Sequence, residues 1–196
     1  MKNLHYVIYS TILQNCRIDN YVKSLGFDTL SIWYNIIMII FLNGSINAGK
    51  STIAKILARQ LIDTAIVEVD LLREMIEWMS IKEAVPLNLE NAISIIKNFV
   101  KRKLNVIVPY PLSQDNYEYI VNELQDIDTQ IYFFTLAPEL SEVLGNRGNR
   151  ELNDSERERI KHHYNIGISN PSFGVIIDNT SQTPEETVIT ILNNIN

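Results

Sequence analysis

Apolar positions along the chain fall into short runs separated by stretches of helical spacing. The first clear run is Ile36-Ile37-Met38-Ile39-Ile40-Phe41-Leu42, ended by Asn43. It is rich in β-branched residues and has no polar alternation, as expected of a strand buried on both faces. Thr52 to Ile62 follows, with Ile53, Ile56, Leu57 and Leu61 one helical face apart. Ala65 to Val69 reads as a second strand ending on Asp70, and Leu71 to Ser80 as a helix with Leu72, Met75, Ile76 and Met79 on one side. Pro86 is expected to break the chain before a helix patterned by Leu89, Ala92, Ile93, Ile96, Phe99 and Val100.

The alternation continues to the C-terminus. Val106-Ile107-Val108 is a third strand stopping at Pro109, which has no N–H for a ladder. Asp115 to Leu124 reads as a helix facing Tyr119, Ile120 and Leu124 inward, and Gln130 to Leu136 as a fourth strand. Pro138 suits the first turn of a helix running to about Leu144. Asn153 with Glu156 has the spacing of a reciprocal cap for a helix reaching about Ile166. Phe173 to Ile177 is the fifth strand, and Thr183-Pro184-Glu185-Glu186 opens a last helix striped by Val188, Ile191, Leu192 and Ile195. Five strand–helix alternations predict an α/β domain with a parallel sheet covered on both faces. Ligands of such sheets bind at the C-terminal ends of the strands.

The first strand end carries Gly44-Ser45-Ile46-Asn47-Ala48-Gly49-Lys50-Ser51, which fits G-x-x-x-x-G-K-[ST]. A strand, this loop and a helix in that order make a phosphate-binding loop, whose inward N–H groups and helix N-terminus cradle a triphosphate. ATP is the expected ligand, held by Gly44 to Ser51 and Thr52, with Lys50 reaching the β- and γ-phosphates and the Ser51 hydroxyl on Mg²⁺. At the second strand end, Asp70 fits a base for an acceptor hydroxyl or a group orienting water on Mg²⁺; an aspartate there also caps a helix well. Arg73 fits a clamp on a polar or anionic substrate, or a solvated helix face. Val69-Asp70 and Ile177-Asp178 are read as the apolar runs that end in an acid. Asp70 is the better metal candidate of the two, and Asp178 with Asn179 reads as a turn closing around the nucleotide base.

Between Gly145 and Arg150 the chain is polar, with Arg147 and Arg150 in the loop and Arg157 and Arg159 beyond it. An arginine lid there would neutralise charge on the transferring group and exclude water. A solubilising loop paired with Glu151, Asp154, Glu156 and Glu158 is the alternative. His162 and His163 are adjacent and so diverge on a helix; they read as surface or substrate-contact residues, not zinc ligands.

With 196 residues and 46% hydrophobic content, the chain has enough for a sizeable core. Its formal net charge of −6 argues against a broad grip on nucleic acid. One cysteine, Cys16, cannot form an intrachain disulfide and fits the cytoplasm. The stretch Ile32–Leu42 falls short of the roughly 20 apolar residues that span a bilayer, so no membrane partner is expected. Residues 1–35 carry no motif and are expected to be an extension to a domain over 36–196. Met38 sits just before the loop, so residues up to Ile37 read as an extension or as sequence reached through an early start codon.

These residues together resemble the small P-loop kinases of the shikimate kinase and chloramphenicol phosphotransferase kind, with a closer likeness to ATP-binding tunicamycin-resistance proteins. The likeness runs from about Ile36 to Ile195. It rests on Gly44–Ser51, Val69-Asp70, Ile107-Val108-Pro109, Phe133-Phe134-Thr135-Leu136, the Leu144–Arg150 loop, Ser169-Asn170-Pro171 and Ile177-Asp178-Asn179. The resemblance implies a P-loop three-layer sandwich with strand order 2-3-1-4-5. It also implies an acceptor-contacting aspartate at Asp70 and a lid arginine, Arg147, near the adenine. The segment from Met75 to Asn98 departs from the family pattern. The implied activity is transfer of the γ-phosphate of ATP to a hydroxyl of a small metabolite or antibiotic. Sequestration of a small molecule without transfer is the alternative. A regulatory NTPase fits less well, because the Asn-Lys-x-Asp guanine motif is missing.

Overall fold

The computed structural model describes residues 37–145 and 151–195. Expectations for residues 1–36, and for Arg147 and Arg150, lie outside the described residues. In chain order the elements are β1 (Met38–Gly44), α1 (Lys50–Gln60), β2 (Thr64–Ile66), α2 (Val69–Glu74), α3 (Ile81–Lys101) and β3 (Asn105–Pro109). Then come α4 (Gln114–Leu124), β4 (Gln130–Leu136), α5 (Leu140–Leu144), α6 (Asp154–Asn165), β5 (Val175–Ile177) and α7 (Pro184–Asn193). The five strands form one all-parallel sheet in the order β2-β3-β1-β4-β5, flanked by helices.

Every residue of β1 is buried, as its unbroken apolar run requires. Ile39 and Phe41 pack with Val106, Val108, the α3 stripe Leu89, Ala92, Ile93 and Ile96, and Ile120 and Leu124 of α4. Met38, Ile40 and Leu42 alternate to the other face and are equally buried. There α1 packs on β1, β3 and α7. Phe41 stacks on Phe133 with ring centroids 4.8 Å apart, fixing the β1–β4 register Phe41 to Phe133.

Several boundaries differ from the sequence reading. Asn43 does not end β1; it lies within the strand at 0% exposure because every polar atom it brings is paired. Its amide donates to the Thr135 hydroxyl and the Ile168 carbonyl, each at 3.0 Å, and its Oδ1 accepts from the Leu112 N–H at 2.7 Å. Pro86 lies inside α3 instead of breaking the chain. At the sixth helical position it removes one hydrogen bond, to the Lys82 carbonyl, and both residues lie on the exposed side of the helix, where the loss is least costly. β2 stops at Ile66, and the helix expected to reach Ser80 ends at Glu74, giving way to turns that leave Met75 77% exposed. Tyr119 points outward; Tyr117 supplies the packed ring instead, stacked on Phe173 at 3.9 Å. Pro138 precedes the N-cap of α5, Glu139, and so lies outside that helix's first turn. β5 begins at Val175, after Gly174 (φ 69), where a Cβ would stand 2.4 Å from the Phe133 carbonyl oxygen.

Candidate active site

At the end of β1 the chain must turn sharply against β4. Gly44 makes the turn at φ 133, and a Cβ there would stand 2.4 Å from the Leu136 carbonyl oxygen. Only glycine fits both demands. Asn47 follows at φ 65, a region that asparagine tolerates better than most side chains. Its amide donates at 3.0 Å to the carbonyls of Val143 and Gly145, tying the loop to the end of α5. Ile46 packs on the small cluster of Val143, Leu152 and Ile160 that joins α5 to α6.

Gly49, also left-handed at φ 101, is the N-cap of α1. No side chain caps that helix, and no acid stands in its first turn. Its first N–H groups are thus left for an anion, and the helix dipole adds to the attraction. Lys50 folds back over the loop, its Nζ donating to the carbonyls of Gly44 at 3.0 Å and Ser45 at 2.8 Å.

Beneath the loop lies a residue that the sequence reading took for a surface or substrate-contact residue. His163 is buried, and its Nδ1 shares a hydrogen bond with the buried Ser45 hydroxyl at 3.3 Å. Burial first, then the nearby positive charges of Lys50, Arg159 and His162, pushes its pKa down to about 4. It is therefore a neutral support for the loop at physiological pH. His162 is exposed, as adjacency on a helix demands.

One cavity of about 910 Å³ collects most of the expected site. Its walls include Ile46, Asn47, Gly49, Lys50, Ser51 and Thr52 on one side, and Asp70 and Arg73 on the other. Glu156 and Arg159 enter from α6, with His163 one turn further along the same face. Gly44, Ser45 and Ala48 lie behind the loop, the last two fully buried. Asp178 and Asn179 do not line the cavity. The Asp178 carboxylate accepts from the backbone N–H and hydroxyl of Thr180, bonds that hold its pKa below the usual value. Asn179 is buried and donates to the Ala48 carbonyl at 3.1 Å, bracing the loop from behind.

Three carboxylates absent from the sequence reading join the site. Glu68, the N-cap of α2, accepts from the Ser51 hydroxyl at 3.5 Å. Its signal was present in Ile66-Val67-Glu68, an apolar run ending in an acid, but Glu68 was read as part of a strand reaching Val69. Glu74 lines the cavity beside Arg73, with Glu77 following. Among the described residues no three His, Cys, Asp or Glu side chains cluster as a preformed metal site.

The fold has counterparts among known structures. The chain is similar to the Mycobacterium tuberculosis APS kinase solved with AMPPNP and APS, at TM-score 0.59 and 16% identity over 81% of this chain and 96% of that one. It is similar to the Deinococcus radiodurans tunicamycin resistance protein, at TM-score 0.58 and 20% identity over 81% and 95%. A gluconokinase from Sinorhizobium meliloti matches at TM-score 0.57 and 16% identity over 79% and 89%. The chain has the fold of the small P-loop kinases. No family model and no curated protein sequence matches the chain. Within the P-loop kinase fold, the cavity lies where the β1 loop and the start of α2 meet. Among the described residues, no helix is long and apolar enough to cross a membrane.

Proposed function

We propose that this protein is a cytoplasmic ATP-dependent phosphotransferase acting on a hydroxyl of a small molecule. The observation that carries the reading is the shared cavity: Lys50 and Ser51 line it with Asp70 and Arg73. In this reading the loop amides and Lys50 hold the triphosphate, and an acceptor hydroxyl lies against Asp70. Its oxygen bonds to the γ-phosphorus as the bond to the β–γ bridging oxygen breaks, leaving ADP. Asp70 takes the hydroxyl proton. Arg73, and Arg159 from α6, add positive charge where it builds on the transferring group.

The donor set suits Mg²⁺, since Ser51, Glu68 and Asp70 offer only hard oxygens. Ser51 would bind the ion directly, with Glu68 and Asp70 holding its water, and the ion would supply charge neutralisation between the phosphates. Arg147 and Arg150 act in this reading as lid residues closing over the triphosphate, with Arg147 near the adenine.

The test is a screen of hydroxylated metabolites and antibiotics with ATP and Mg²⁺, read by mass spectrometry. A product heavier by one phosphoryl group, with ADP formed in equal amount, is expected. Tight binding of a compound with no ADP formed would favour sequestration instead.

A further inference from the structure

The phosphate-binding motif specifies Gly44, Gly49, Lys50 and Ser51 and leaves the residues between the glycines free. Three consecutive free residues reach the same neighbour, the pair of helices α5 and α6. Ser45 and His163 of α6, both buried, share a hydrogen bond between hydroxyl and Nδ1 at 3.3 Å. Ile46 packs on Val143, Leu152 and Ile160, the cluster that joins the two helices. The Asn47 amide donates at 3.0 Å to the carbonyls of Val143 and Gly145 at the end of α5.

Both helices lean on these contacts. α5 is five residues long, too short to hold itself, and the side chain of its own N-cap makes no capping bond. A helix leaves its last carbonyls without partners, and Asn47 supplies donors for them from a loop far away in the chain. α6 carries Glu156 and Arg159 to the cavity wall, and His163, four residues after Arg159, continues that face beneath the loop. The side chains of Ser45 and Asn47 therefore stand between the anion nest and the helix that bears Arg159.

Converging N–H groups repel one another, and an anion among them removes that repulsion and fixes the backbone that aims them. Asn47, at φ 65 between Gly44 and Gly49, belongs to that backbone, so fixing it fixes where its amide stands. We infer that Ser45 and Asn47 are positioning residues through which a triphosphate on the loop orders α5 and α6 and so sets Arg159 in the cavity. Linkage makes the effect reciprocal: the order that the anion gives to α5 and α6 returns as affinity for the anion. The inference rests on the triphosphate reading of the loop and not on whether a phosphoryl group is then transferred.

Hydrogen–deuterium exchange of the full chain, with and without saturating Mg²⁺ and AMPPNP, tests it. In the parent, AMPPNP is expected to slow exchange in the first turn of α1 and, about fivefold or more, in α5 and α6. Asn47→Gly keeps the left-handed backbone accessible while removing both bonds to α5, and Ser45→Ala removes the hydroxyl without adding bulk. In Asn47→Gly the AMPPNP-dependent slowing of α5 is lost, in Ser45→Ala that of α6 is lost, and the first turn of α1 keeps its slowing in both. The readout is a difference between two states of one protein, which a side chain that only stiffens the fold leaves unchanged. Slowing confined to α1 in the parent overturns the inference while nucleotide binding stands. Parent-like slowing of α5 in Asn47→Gly, or of α6 in Ser45→Ala, overturns the role given to that residue. No slowing anywhere in the parent removes the triphosphate from the loop and overturns both readings.

Discussion

The two ends of the cavity are built differently. The end proposed to hold the triphosphate is mostly backbone: a fully buried strand, glycines at φ 133 and 101, and a helix start with no side-chain cap. It is braced by the buried side chains Asn43, His163 and Asn179. The end proposed to take the acceptor is side chains on a six-residue helix and its following turns, where Leu71, Met75 and Trp78 are more than half exposed. A backbone nest suits a ligand that never changes, whereas exposed side chains on a short helix can vary with the acceptor without disturbing the core. Losses at the first end should therefore appear in nucleotide affinity and stability, and losses at the second in turnover.

The largest separation is expected from Asp70→Asn, which keeps shape and removes the proposed base. Turnover should fall about a thousandfold with ATP affinity nearly unchanged; a parent-like rate would remove Asp70 from the chemistry. Asn43→Leu should act on stability, because it strands the Leu112 N–H, the Thr135 hydroxyl and the Ile168 carbonyl. A loss of about 3 kcal/mol in urea unfolding is expected, and a loss below about 1 kcal/mol would show that the network is not a brace.

His163 gives a pH test. Its pKa is about 4 in the folded chain and about 6.5 when unfolded. On acidification the unfolded state takes the proton first, so its contribution is complete above about pH 6.5 and is lost as pH falls toward 4. Up to about 3 kcal/mol is at stake. In His163→Asn the unfolding midpoint should vary less over this window than in the parent; identical profiles would contradict a buried neutral imidazole. The smallest effect is expected from Glu68→Gln, which should raise the Mg²⁺ concentration needed for ATP binding about tenfold. An unchanged Mg²⁺ dependence would leave the Ser51–Glu68 contact without a metal role.

The same contrast explains what could be read in the sequence. The loop was legible because its demands are local: Gly44, Gly49 and Lys50 must stand at fixed spacing between a strand and a helix. The five strands, the sheet order implied by the family resemblance, and the Asn153–Glu156 and Thr183–Glu186 capping boxes were legible on the same grounds. His163 was not, because its burial depends on α6 crossing beneath a loop 118 residues away. Glu68 was hidden by a strand drawn three residues too long, which made Asp70 seem the strand's end. Asn43 looked like a terminator, since a polar residue ends an apolar run unless distant partners satisfy it. Pro86 looked like a break, since nothing local shows that the Lys82 carbonyl it deprives of an N–H lies on the exposed side of α3.

The central claim is that the β1 loop holds a nucleoside triphosphate through Lys50. Calorimetry of ATP and Mg²⁺ with the parent chain and with Lys50→Ala tests it most directly. The account predicts a single site in the parent, weakened about a hundredfold or more in the variant, a loss of about 2.7 kcal/mol. Equal affinity in the two proteins would contradict it.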